Sequence, residues 1–173
     1  MENQYVILLR GINTGGLTIK MVDVKRVLDR PEFTKAVTVL ATGNILIKTT
    51  LTQEETLSRV LGYLSVEMNR DIYGMIRTKN ELFELKVPEN LAEKSVAMVL
   101  FSETEIFTEL EEIFSTENHH ENDSLSLLNK TDILWIHQKG ETTKGFGKVL
   151  SKVKYKPILT SRNFNTCLLY TSP

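Results

Sequence analysis

A single cysteine, Cys167, occurs in the 173 residues, which excludes an internal disulfide framework and any cysteine-based zinc cluster. No apolar run approaches the roughly 20 residues that a helix needs to cross a bilayer, so no membrane partner is expected. The start, Met1-Glu2-Asn3-Gln4, lacks a basic stretch followed by an apolar one, and no secretory signal is visible. Together these absences point to the cytoplasm. An excess of charge of one sign is missing too: the formal net charge is −1, which gives no global pull toward nucleic acid. The glycines of Gly11–Gly16 match neither a phosphate-binding Walker loop, since no Gly-Lys-Ser/Thr follows, nor a dinucleotide fingerprint. No Ser-His-Asp or Cys-His arrangement can be argued, no cofactor is expected, and whether the chain is an enzyme stays open.

What is present is an ordinary globular composition, with 41% hydrophobic and 25% charged residues. The length fits one large domain or two small ones. Two halves of roughly 80 residues are each marginal alone, so they are expected to share a core. Charge is unevenly spread. Phe101 to Asn129 holds eight acidic residues and no Lys or Arg, whereas Lys139 onward holds seven basic residues against Glu141 alone. Such asymmetry fits solvated helix faces or a polyanion-binding face.

Along the chain, Tyr5-Val6-Ile7-Leu8-Leu9 is a continuous apolar run that reads as a strand buried on both faces. A helix from about Met21 to Asp29, strands over Ala36–Ala41 and Ile45–Ile47, a helix capped by Thr52 and Glu55, and a strand over Ile72–Ile76 complete a βαββαβ order. Thr78 and Glu81 cap a further short helix that stops before Pro88. The pattern then restarts with an apolar strand over Ser95–Phe101 and a capping box at Ser102 and Glu105. Strands over Leu125–Leu128 and Ile133–His137, a basic helix near Gly147–Val153 and a last strand near Ile158 follow. The expected fold is therefore α+β, tandem ferredoxin-like plaits sharing a core. Residues 1–77 form the first half, 78–93 a helical connector and 94–166 the second half.

Plait topology puts the end of strand one and the turn between strands two and three at one sheet edge, on adjacent strands about 4.8 Å apart. That edge gathers Arg10, Gly11 and Asn13 with Thr42, Gly43 and Asn44. Amide groups freed by glycine beside a guanidinium are how proteins cradle anions, so a small anionic ligand is one reading. The other is that glycine and asparagine simply serve the turns.

His119-His120 with Glu121 and Asp123 reads as a polar loop, since adjacent histidines diverge, and no metal is expected. His137 reads as structural beside Trp135. Lys144-Gly145-Phe146-Gly147-Lys148, continuing through Lys152, Lys154 and Lys156, interleaves basic residues with Phe146 and Tyr155. That pattern suits a nucleic-acid backbone and stacked bases, the second functional reading. A structural or interaction protein without a ligand is the third, and oligomeric state is not readable.

Three motifs in order carry a family resemblance: Leu8-Leu9-Arg10-Gly11-Ile12-Asn13-x-Gly15-Gly16, Thr42-Gly43-Asn44-Ile45 and Thr160-x-Arg162-Asn163-x-x-Thr166. They resemble the bacterial, pneumococcal-type domain-of-unknown-function family numbered 1697, over about Gln4 to Thr166. The resemblance implies a tandem of plait-like units and no particular activity. It adds Gly15, Gly16, Arg162 and Asn163 to the candidate ligand-binding residues, and Thr42 stands where the family usually has Ser. Family members continue past the third motif into an amphipathic helix. Here Cys167–Pro173 is similar to translated adapter read-through, so 167–173 is expected to be a non-native, poorly packed tail.

Overall fold

The computed structural model describes residues 1–12, 18–40, 43–155 and 157–171, with side chains described as far as Leu168 in the last stretch. Its elements run β1 (Asn3–Arg10), α1 (Met21–Val27), β2 (Phe33–Val39), β3 (Asn44–Thr49), α2 (Gln53–Met68), β4 (Tyr73–Thr78) and α3 (Lys79–Phe83). They continue with β5 (Ser95–Ser102), α4 (Phe107–Thr116), β6 (Ser124–Leu127), β7 (Ile133–Gln138), α5 (Gly145–Leu150), β8 (Leu159–Asn163) and α6 (Phe164–Thr171). Among the described residues the fold is mixed α+β, with six helices and two four-stranded antiparallel sheets ordered β2-β3-β1-β4 and β6-β7-β5-β8. Two compact units result: Met1–Glu84 with the last residues from Leu169, and Leu85–Leu168.

The apolar run of β1 makes it a central strand, with β3 on one side and β4 on the other. Alternation splits its side chains between two faces. Tyr5, Ile7 and Leu9 pack with Val24 of α1, with Leu28 just after it, and with Val60 and Leu64 of α2. Val6 and Leu8, on the opposite face, are fully buried as well. Each fully buried aliphatic side chain contributes about 1.5–3 kcal/mol, so this strand anchors the unit. In the second unit β5 is central in the same way, between β7 and β8. Leu100, Ile133 and Trp135 pack under Leu110 and Phe114 of α4 and Phe146 and Val149 of α5. Ala97, Leu134 and Ile136 form a separate cluster on the other face.

Helix starts follow local hydrogen bonding in two cases and not in a third. Thr52 and Glu55 make a reciprocal capping box before α2, and Thr78 and Glu81 make another before α3. Ser102 and Glu105 do not cap α4, which begins behind Ile106 with no side-chain cap. Ser102 is instead the last residue of β5. Its amide donates to Asp132 Oδ1 (3.1 Å), and its hydroxyl closes a turn with the Thr104 amide and carbonyl. Strand pairing thus holds the serine before the helix can use it. Strand β2 begins earlier than the apolar alternation suggests, because its register shifts between Phe33 and Lys35 and breaks the period. The segment expected to pack loosely after Thr166 continues α6 to Thr171, and Cys167 on it is only 2% exposed. Burial pushes its thiol up to about 12, against an opposing pull from the Arg162 charge.

A polar seam ties the segment before β2 to α2. The Glu32 carboxylate accepts from the Tyr63 hydroxyl (2.5 Å) and from Arg59 (3.2 Å), while the Arg30 guanidinium lies 3.6 Å over the Tyr63 ring. Tyr63 chiefly, with help from Arg59, holds the Glu32 carboxyl below its ordinary range against the upward push of desolvation. A depressed folded pKa means stability that is present above the unfolded value and lost as pH falls through the folded one. Tyr63→Phe removes the main cause. Its urea midpoint is expected to fall less steeply than the parent's as pH drops from about 5 to about 2. Parallel curves would show that this hydrogen bond does not set the acid slope.

Candidate functional site

Arg10 closes β1 and faces Tyr73 of β4, with its guanidinium carbon 5.8 Å from the Tyr73 ring centroid. Two residues earlier Leu8 faces Asn44, so Arg10 and Asn44 are diagonal neighbours on one face of the sheet. The Leu9 amide donates to the Gly43 carbonyl (2.8 Å), which brings the β2–β3 turn to the edge where β1 ends. Gly11 (φ 66) and Gly43 (φ 83) both take left-handed backbone there. Their surroundings differ. A Cβ on Gly11 would meet nothing within 4 Å, whereas one on Gly43 would lie 2.6 Å from Ile12 Cδ1 and 2.9 Å from Leu9 Cβ.

The candidate side chains described at this edge are buried. Arg10 is 9% exposed and Asn44 fully buried. The Asn44 amide donates to the Val39 carbonyl (2.9 Å) and so latches the hairpin. Asn13, Gly15, Gly16 and Thr42 lie outside the described residues.

Arg162 and Asn163 belong to the second unit. Arg162 faces Val99 across the β5–β8 ladder and is buried, donating to Thr160 Oγ1 (2.7 Å) and the Ser161 carbonyl (2.9 Å). Asn163 accepts from the Asn165 amide (2.8 Å) at the start of α6.

The aromatic residues of the basic stretch are core residues. Phe146 is 3% exposed and packs edge-on against Phe114 and Trp135, and Tyr155 is 2% exposed with its hydroxyl on Glu109. Neither ring offers a face for a base, and Lys154 is paired with Glu109 (2.9 Å). His119 stacks on Phe114, with ring centroids 4.3 Å apart. His137 packs on Trp135 and bonds through Nδ1 to the Gln138 carbonyl, while its Nε2 is buried without a partner. Among the described residues no group of three or more His, Cys, Asp or Glu is arranged to hold a metal ion. Nor is any described helix long and apolar enough to cross a membrane.

Sequence reasoning passed over Arg77. It faces Val6 across the β1–β4 ladder and therefore shares the sheet face of Arg10, and it is also buried. A cation inside the strand Tyr73–Thr78 was the available signal.

Comparison with known proteins adds a lineage to this geometry. Residues 2–128 match the family model described as Protein of unknown function (DUF1697). The chain belongs to that family. A solved structure of a conserved bacterial protein from Streptococcus pneumoniae is similar over 99% of this chain and 100% of its own, with a TM-score of 0.75 and 18% identity. At that identity the likeness shows the fold. A protein described as unknown, from Galdieria sulphuraria, aligns over 98% of this chain and 88% of its own at 9% identity and a TM-score of 0.28. No curated protein matches the sequence.

Proposed function

We propose that the chain binds a small anionic ligand where β1 ends and the β2–β3 turn returns, on a scaffold of ferredoxin-like plaits. The strand order β4-β1-β3-β2, repeated as β8-β5-β7-β6, supports the plait reading. One observation carries the site. Arg10 and the Asn44 hairpin latch sit diagonally on one sheet face, about 7–8 Å apart. They share an edge where Gly11 and Gly43 turn left-handed. The guanidinium supplies a forked donor, and the open space beside Gly11 lets a ligand approach backbone amides. Asn44 holds the turn in place and leaves the contact to Arg10. Asn13, Gly15, Gly16 and Thr42 keep their place in the proposal through the motif resemblance alone.

A thermal-shift screen with inorganic phosphate, nucleotides, phosphosugars and acidic metabolites tests the reading. An anion at one hundred times its dissociation constant should stabilise the fold by about 2.7 kcal/mol. Arg10→Lys keeps the charge and most of the stem but loses the fork, so it should weaken that anion about tenfold, which is about 1.4 kcal/mol. Absence of a shift with every anion, or a full response in Arg10→Lys, would falsify the proposal.

A further inference from the structure

At the opposite edge of the first sheet, β1 begins and β4 ends beside the start of α2, along an open groove of about 470 Å³. That volume falls within the roughly 300–1,000 Å³ of small-molecule sites. From this groove we infer a second binding site, for a neutral polyhydroxylated ligand: a sugar.

The lining is rich in amides. Asn3 and Gln53 are oriented by their own hydrogen bonds, Asn3 Nδ2 to the Leu51 carbonyl (3.1 Å) and Gln53 Nε2 to the Ile76 carbonyl (3.3 Å). Each amide held through its nitrogen presents its carbonyl oxygen as an acceptor in a fixed direction. Gln4 and Asn80, both exposed, bring further amides that donate and accept at once. Hydroxyl groups also donate and accept, so a polyol satisfies such a lining better than a group that only accepts.

Phe83 supplies the apolar half of the site. It lines the groove and is 67% exposed, although α3 has only five residues on which to place it. The capping box of Thr78 and Glu81 fixes that helix turn, and Leu82 takes the inward position at 4% exposure. The ring is thereby held outward, where its face can cover the C–H face of a pyranose. Charge points the same way. The lining carries one carboxylate, Glu2, which accepts from the Thr34 hydroxyl, and one ammonium, Lys79. With the two signs balanced, the groove has no preference for an anion, and its ligand class differs from that of the Arg10 edge.

Ligand-observed saturation-transfer NMR on the full chain, with maltose and cellobiose as probes, tests the inference. Both should show transfer at about 10 mM if the groove binds them with a dissociation constant near 1 mM. Phe83→Ala should weaken binding about tenfold while leaving the unfolding midpoint unchanged, because the ring is exposed. Asn80→Ala should weaken it by a smaller factor, and inorganic phosphate should not compete. No transfer to either disaccharide, undiminished transfer in Phe83→Ala, or displacement by phosphate would each overturn the assignment.

Discussion

Gly43→Val is expected to destabilise the fold by roughly 2–6 kcal/mol. Two costs combine. At φ 83 the backbone is left-handed, where a β-branched residue is strained by about 1–3 kcal/mol. The new Cβ would also fall 2.6 Å from Ile12 Cδ1 and 2.9 Å from Leu9 Cβ. Leu9 and Ile12 are 1% and 4% exposed and belong to the core beneath the sheet, so they cannot swing aside. Overpacking of this kind costs about 1–3 kcal/mol more. Urea unfolding should show a lowered midpoint with an unchanged slope. A loss below about 1 kcal/mol would mean that the turn rebuilds around the side chain, and that glycine is not what places the β2–β3 turn against β1.

Asp132→Ala should cost about 2–4 kcal/mol. The carboxylate is 2% exposed and joins two elements: Oδ1 accepts from the Ser102 amide at the end of β5, and Oδ2 accepts from the Asn129 side chain (3.1 Å) in the β6–β7 turn. Asn129 in turn accepts from the Thr131 and Asp132 amides, so the turn is wired through both side chains. Alanine orphans a buried N–H and frees the turn together. Asp132→Asn keeps an acceptor and the shape, and should cost about half as much. Equal losses in the two variants, read from urea midpoints, would locate the contribution in the charge and not in the hydrogen bonds.

The central strands were legible because their apolar runs leave no solvent face. Tyr5–Leu9 and Val96–Phe101 read as buried on both sides from their composition, and β1 and β5 each lie between two partners. Two capping boxes were legible for a local reason, since hydroxyl and carboxylate three residues apart complete their bonds within one turn. The same spacing at Ser102 misleads because β5 pairs through that residue, and pairing with a distant strand leaves no local mark. The candidate edge followed from strand order, but the burial of Arg10 and the inward latch of Asn44 did not. Both depend on what covers a sheet face, and alternation alone cannot report that. Phe146 and Tyr155 illustrate the same gap: among lysines they resemble stacking residues, yet α4 and β7 bury them.

The outermost strands bear on how readily another chain could add to either sheet. β2 ends the first sheet, and an open ladder of amides and carbonyls is a template on which another chain can add. The register shift between Phe33 and Lys35 kinks that ladder, and the adjoining Thr34 and Lys35 are both exposed. An incoming strand would have to flatten the kink and desolvate an ammonium in the same step. The second sheet protects its β6 border by brevity: Ser124–Leu127 offers four residues, two of them serines, too short a run to seed a cross-chain ladder.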